Sequence, residues 1–391
     1  MRYNFDTVPS RRQSDFMNKW TWHPKEILPL WVADMDFPTA PQIIHALQKQ
    51  IQHGVLGYEL PSLALRKTIA QRMQKLYAWE VDPESILYTA GVNNGYNIAA
   101  RVLCSPKRGY LIQTPVYNEF QDTAQKTGFR QRVARLQKTV EGNQIRYEVD
   151  FDAFEKEVKR TAMFLLCHPH NPVGRIYSPS ELKQMAAICM ENDVTIVSDE
   201  IHAELLLGDA TLTPLASLSP EIARYTITLV SASKAFNIPG LSCAFAIIPD
   251  EDLRQRFLTV RDGMSYEIST PGLTASNVAF AGKADSWLKS LRRYLTANRD
   301  FAMEYLERNI PAVKMTRPDA TYLMWLDCSE LSLNPSPYDY FFKAAKVAFS
   351  NGANFGKGCE QFVRLNFGTT RTILTQGLER MRKSLREINL V

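Results

Sequence analysis

No two of the six cysteines form a C-x-x-C pair; Cys104, Cys167, Cys189, Cys243, Cys328 and Cys359 stand singly. Most have apolar neighbours, so the expectation is buried free thiols in a reducing compartment. Runs of lysine and arginine are also missing. The 46 basic and 41 acidic residues are interspersed and leave a net charge of +5, which argues against a nucleic-acid or polybasic membrane surface. Arg292-Arg293 falls inside a helical pattern and reads as its solvated face. No apolar run approaches membrane-spanning length, and Met1-Arg2-Tyr3-Asn4-Phe5-Asp6 lacks the apolar core of a signal peptide. A cytoplasmic protein is therefore expected. The absence of G-x-G-x-x-G after a strand argues against a nicotinamide dehydrogenase, and no G-x-S-x-G nucleophile elbow is present. His168 and His170 flank a proline, a weak case for a metal, and none is expected.

What is there is a chain of 391 residues with 45% hydrophobic content, enough for a large core or two cooperating domains. From residue 86 the pattern alternates between short apolar runs and helical stretches. Ile86-Leu87-Tyr88-Thr89, Tyr110-Leu111-Ile112-Gln113, Met163 to Cys167, Val194 to Asp199, Tyr225 to Val230 and Ala244 to Ile248 read as strands. Near-continuous apolar strands separated by helices predict a mostly parallel sheet covered on both faces. Helices are predicted over Pro41 to His53, from an Ser62 N-cap to about Trp79, and from a Ser180 cap to about Asn192. After about residue 283 a long charged helix, further strands and a helix near Tyr338 to Val347 indicate an α+β pattern. The expected division is a large domain over 41–283 and a smaller one over 284–391 that takes in residues 1–40.

Candidate chemistry collects where strands end, the edge at which open α/β sheets bind ligands. Lys234 lies just past the strand Tyr225 to Val230, in Ser231-Ala232-Ser233-Lys234. A lysine held there, partly desolvated, can lose its proton and attack a carbonyl to form a Schiff base. Gly91-Val92-Asn93 lies between a strand and a helix, where backbone N–H groups and the helix dipole would hold a phosphate. Alone, Gly91 and Gly95 are more often a plain turn. Asp199 closes an apolar strand, where an acid calls for a cationic partner. Asn171 sits in a proline-bracketed turn. A phosphate cradle, a buried acid and a Schiff-base lysine together are the parts that hold pyridoxal 5′-phosphate. The acid keeps the pyridine nitrogen protonated so that the ring can accept electrons; Tyr117 is a candidate to stack on it, although a core tyrosine reads the same in sequence.

The order Gly91-Val92-Asn93, Tyr117, Asn171-Pro172-x-Gly174, Asp199-x-x-His202, Ser231-x-Ser233-Lys234 and Arg364 resembles the pyridoxal-phosphate aminotransferase superfamily (class I/II) over essentially the whole chain. Longer matches resemble its MalY/PatB-type cystathionine β-lyase branch. They are Leu30-Trp31-Val32-Ala33-Asp34-Met35-Asp36-Phe37, His53-Gly54-Val55-x-Gly57-Tyr58, Pro169-His170-Asn171-Pro172-Val173-Gly174-Arg175, Ser198-Asp199-Glu200-Ile201-His202, Ser231-Ala232-Ser233-Lys234-Ala235-Phe236-Asn237-Ile238-Pro239-Gly240-Leu241, Ala320-Thr321-Tyr322-x-x-Trp325-Leu326 and Val363-Arg364-Leu365-Asn366-Phe367-Gly368. The resemblance implies the α/β fold of pyridoxal-phosphate-dependent transferases, a large domain with a mostly parallel sheet of the seven-stranded type and a smaller α+β domain. It implies Lys234 as the catalytic residue that carries the cofactor and shuttles the Cα proton. Asp199 would pair with the pyridine nitrogen and Tyr117 would stack on the ring. Asn171 would hydrogen-bond the phenolic oxygen, with His202 where many relatives place a tyrosine. Gly91, Val92, Asn93, Ser231 and Ser233 would hold the phosphate. Arg364 would grip the substrate carboxylate, with Ala33, Tyr117 and Asn171 also at the substrate. Tyr58 would reach the phosphate of a neighbouring subunit, implying a homodimer.

The implied activity is a carbon–sulfur β-lyase cleaving L-cystathionine or another S-substituted L-cysteine to a thiol, pyruvate and ammonia. An aminotransferase using the same residues is the alternative, and a regulatory partner-binding protein with secondary lyase activity is a third reading. Many aminotransferases carry an arginine shortly after the lysine. Here the chain reads Leu241-Ser242-Cys243, which favours the lyase. Asn93-Asn94, Pro106-Lys107-Arg108-Gly109, Gly368-Thr369-Thr370-Arg371 and a histidine-free Leu207 to Thr211 depart from the branch's pattern and leave the substrate open.

Overall fold

The computed structural model describes residues 3–264 and 268–391. Seven strands build the central sheet: β1 (Ile86–Thr89), β2 (Gly109–Thr114), β3 (Gln131–Arg135), β4 (Thr161–Cys167), β5 (Thr195–Asp199), β6 (Thr226–Val230) and β7 (Ala244–Ile247). Their spatial order is β1-β7-β6-β5-β4-β2-β3. Strands β2 to β6 are parallel, and β7 runs antiparallel to both β1 and β6. Along β4, Met163 and Leu165 enter one buried cluster with Tyr110, Ile112 and Val197. Phe164 and Leu166 enter another with Leu111, Ile196 and Leu182. Alternate side chains thus feed two cores, one per face, which is why the strand reads as an unbroken apolar run. Each fully buried aliphatic or phenyl side chain there contributes about 1.5–3 kcal/mol.

Helix Val92–Leu103 packs across β4, β5, β6 and β7, and helix Pro179–Glu191 packs on β5. The latter is capped by Ser178 rather than Ser180. Pro179 takes the first helical position, the Glu181 amide donates to Ser178 Oγ at 3.2 Å, and Ser178 N donates back to Glu181 at 2.8 Å. A proline at that position and a reciprocal capping box fix the start two residues earlier. Helices Pro41–His53 and Leu63–Tyr77 form as predicted, the second with Ser62 accepting from Leu65 N.

A second sheet has the order Ser350–Asn351, Phe362–Asn366, Leu323–Asp327, Lys314–Met315, Gln144–Glu148, Gln137–Glu141. Its last two strands form a hairpin that comes from within the stretch 41–283, so the chain leaves the central sheet after Arg135 and returns to it at Thr161, two crossings that a contiguous division does not foresee. The helix expected near Tyr338 to Val347 is shorter. Pro337–Tyr340 runs into a wider turn over Phe341–Ala345, Lys346 adopts a left-handed φ of 55°, and Val347–Ala348 pairs in parallel with Leu28–Pro29. That pairing ties the N-terminal segment to the C-terminal part of the chain. Among the described residues no helix is long and apolar enough to cross a membrane.

Candidate active site

The carboxyl ends of the parallel strands open into a cavity of about 240 Å³. Asp199 ends β5, level with Cys167 on β4 and Leu229 on β6. The turn after β6 then carries Ser231, Ser233 and Lys234 into the cavity wall. On the opposite side Gly91 precedes helix Val92–Leu103, and Gly91, Val92 and Asn93 line the wall with Asn94. No side chain caps this helix. Its first-turn N–H groups, which have no intrahelical partner, therefore carry their partial positive charge at the cavity.

Lys234 is half-buried, and its Nζ donates to Ala33 O at 2.7 Å; Tyr322 Oη donates to the same carbonyl at 2.8 Å. Burial pulls the amine down to about 8, opposed mainly by Asp34 and then by Asp199, and assisted by Arg364. The ammonium is thus poised to give up its proton close to neutral pH. Asp199 is buried and accepts from Ile201 N at 3.0 Å, and no ion pair reaches it among the described residues. Burial pushes its carboxyl up to about 7. An acid held so far from water is unsatisfied until a cation or a proton meets it. His202 lies beside it with its Nδ1 buried and without a partner. Burial first, then Lys234 and Arg364, lower its ring to about 3 and keep it neutral.

Asn171 is presented by a tight turn in which His170 N donates to Arg175 O and Gly174 N donates to His170 O. Gly174 has φ +75°, and a Cβ there would stand 2.5 Å from Pro318 Cβ, so both the backbone and the space require glycine. Asn171 Oδ1 accepts from Arg364 Nη1 at 3.0 Å, and its carbonyl accepts from Tyr117 N at 3.0 Å. Arg364 belongs to the second sheet, in the middle of Phe362–Asn366. Its other amine donates to Trp31 O at 3.1 Å and to Ser350 Oγ at 3.0 Å. Among the described residues no carboxylate pairs with this buried guanidinium, and its Nε has no partner. Burial lowers it to about 10. The group is set to receive a carboxylate from outside.

Of the residues expected at the site, Gly91, Val92, Asn93, Tyr117, Asn171, Asp199, His202, Ser231, Ser233, Lys234 and Ala33 line this one cavity. Arg364 stands behind Asn171. Ser231 Oγ is engaged with the backbone, donating to Cys243 O and accepting from Ser233 N. Tyr58 stands apart, 91% exposed beside the exposed Val55, Leu56 and Leu60. Asn94 and Ser242 also line the cavity and were not expected there. Tyr322 and Asn237 lay in matched segments without an expected role, because a backbone carbonyl as their partner leaves no trace in sequence. His168 and His170 serve the backbone: their Nε2 atoms bond to Thr213 O and Pro115 O, and burial lowers both rings to about 4. A larger groove of about 880 Å³, lined by Arg72, Glu204, Asp285 and Arg292, lies elsewhere. Glu204 and Asp285 neutralise Arg72 there.

Residues 25–381 match the model of the aminotransferase class I and II family. The chain belongs to that family. Within it, this member is 35% identical over 365 residues to the cystathionine beta-lyase PatB of Bacillus subtilis (strain 168), covering 92% of this chain and 93% of that one. The crystal structure of OvoB superposes with a TM-score of 0.91 at 36% identity, over 98% of this chain and 99% of the other. Cystalysin from Treponema denticola, whose crystal structure contains pyridoxal 5′-phosphate, superposes with a TM-score of 0.93 at 30% identity over the full length of both chains.

Proposed function

We propose that this family member is a pyridoxal 5′-phosphate-dependent carbon–sulfur β-lyase of the cystathionine β-lyase type. Its substrate would be L-cystathionine or another S-substituted L-cysteine, cleaved to a thiol, pyruvate and ammonia. The observation that carries this reading is the meeting of three unmet charges in and beside one cavity: a reactive amine at Lys234, an unpaired buried acid at Asp199 and a carboxylate-free guanidinium at Arg364.

The cavity fits the cofactor on its own chemistry. The uncapped first turn at Val92 and Asn93, with Gly91, Ser231 and Ser233, would hold the phosphate. Asp199 would keep a proton on the pyridine nitrogen, which supplies the cation its burial demands. Tyr117 would cover the ring, and Asn171 with His202 would face the phenolic oxygen. When bound, the cofactor supplies an electron-accepting ring that stabilises negative charge at the substrate Cα. Arg364 binds the α-carboxylate and turns the Cα–H bond toward Lys234. Lys234 Nζ, located by Ala33 O, takes that proton. The Cβ–S bond then breaks with both electrons leaving on sulfur, which becomes the thiol on protonation. The aminoacrylate fragment takes up water and yields pyruvate and ammonia.

Ser242 and Cys243 line the cavity where the segment after the lysine passes. No arginine from that segment reaches the cavity, which supports elimination over transamination. We further infer a homodimer in which Tyr58 completes the neighbour's site, supported by the exposed apolar run Ile51, Val55, Leu56, Tyr58 and Leu60. The six free cysteines fit a cytoplasmic location. The test is turnover of L-cystathionine with no keto acid added. Thiol and pyruvate should appear in equal amounts and be lost in Lys234→Ala; turnover that requires a keto acid would overturn the lyase reading.

A further inference from the structure

The groups that hold the Arg364 guanidinium carry no charge. Nη2 donates to Trp31 O at 3.1 Å and to Ser350 Oγ at 3.0 Å, and Nη1 donates to Asn171 Oδ1 at 3.0 Å. Arg364 Cζ lies over the Phe355 ring, 4.9 Å from its centroid. Strand Ser350–Asn351 pairs antiparallel with Phe362–Asn366, and Ser350 stands directly opposite Arg364. Opposed residues of such a pair project to the same face of the sheet. The Ser350 hydroxyl also donates to Trp31 O at 2.8 Å. Serine, carbonyl and guanidinium therefore close a ring of three hydrogen bonds. In that ring the single O–H of Ser350 is spent on the carbonyl, which leaves its lone pairs to the cation. Ser350 is half-buried and does not line the cavity.

We propose, on the reading of Arg364 as the site of the substrate α-carboxylate, that Ser350 is the positioning residue of this clamp. It acts through Arg364: the hydroxyl fixes the plane of the guanidinium and leaves its charge unspent. An acid in its place would fix the group as well, but would neutralise it and compete with the substrate. A neutral acceptor supplies orientation alone. The Nε–H, buried and without a partner among the described residues, stays open to an incoming carboxylate. Without the hydroxyl, Nη2 keeps only Trp31 O, and binding a carboxylate then carries the cost of ordering the side chain.

The test compares two probes on the cofactor-loaded protein, each titrated by the change in its visible absorbance. L-alanine has the α-carboxylate and nothing to eliminate; ethylamine is the same molecule without the carboxylate. The ratio of their dissociation constants measures what the clamp contributes. Ser350→Ala should weaken L-alanine by about tenfold, the loss of one hydrogen bond to a charged group, and leave ethylamine within about twofold. Ser350→Thr and Ser350→Val introduce the same shape and differ in the hydroxyl, so the first should keep the wild-type ratio and the second lose it. Equal losses for both probes in Ser350→Ala, or an unchanged ratio, overturn the proposal, as does a ratio in Ser350→Thr equal to that in Ser350→Val. If Ser350→Ala does not take up cofactor, the comparison of Ser350→Thr with Ser350→Val decides alone. A preference for L-alanine that survives Arg364→Ala overturns the clamp and this assignment together. Failure to release thiol from L-cystathionine would instead sink the lyase reading, and it leaves these ratios as they are.

Discussion

Asp199 is a carboxylate that the isolated chain holds at a loss. Burial raises it from 3.8 to about 7, so the folded chain binds more protons than the unfolded one between those values. Without cofactor, stability falls as pH rises through that window and stays reduced above it. Asp199→Asn should therefore stabilise the cofactor-free chain at pH 8 by on the order of 1–2 kcal/mol, seen as a raised unfolding midpoint, while abolishing lyase turnover. A destabilised variant would show that a partner already satisfies the acid. Lys234 runs the other way: pulled from 10.5 down to about 8, it makes the cofactor-free chain more stable as pH rises between those values. Both residues were readable in sequence, because an acid closing an apolar strand and a lysine in a small-residue turn are local patterns. Their perturbed proton affinities were not, since those come from water excluded by the rest of the fold.

Among the elements, the loop Trp31 to Phe37 shows most clearly what sequence leaves out. Its residues matched a family motif, but only Ala33 had an expected place. In the structure its backbone carbonyls accept from Lys234, Tyr322, Arg364, Asn366 and Asn237. Asn237 adopts a left-handed φ of 54°, which asparagine tolerates, and so aims its amide at three backbone groups of the loop. Asn237→Ala should cost about 2–4 kcal/mol, three hydrogen bonds at about 1 kcal/mol each plus the groups left unsatisfied. Calorimetry of the purified variant would measure this, and a loss below about 1 kcal/mol would mean the loop is held without Asn237. The hairpin Gln137–Glu148 escaped sequence reading for a related reason. Its first strand is exposed throughout, so no apolar alternation marks it, and its place in the second sheet is decided by pairing with Lys314–Met315.

At the scale of the molecule, the exposed run around Tyr58 bears on assembly. If Tyr58 serves the neighbour's cavity, subunits carrying Lys234→Ala and subunits carrying Tyr58→Ala complement each other. Co-refolding them in equal amounts should restore about a quarter of wild-type turnover, because half the dimers are hybrids and each hybrid has one intact site. Activity no higher than the sum of the separate variants would place Tyr58 outside the site. The sequence by itself determined the parallel sheet, six of its seven strands and the cofactor-type cluster at their ends, because apolar runs and strand-end turns are set by neighbours along the chain; Gln131–Arg135 carries no such run. Tertiary structure decided that Arg364, carried on a different sheet, stands behind Asn171, and that a loop from the N-terminal segment presents its carbonyl to Lys234. Those partners are nearly two hundred residues or more apart, and only the packing of the two sheets brings their charges into one low-dielectric space.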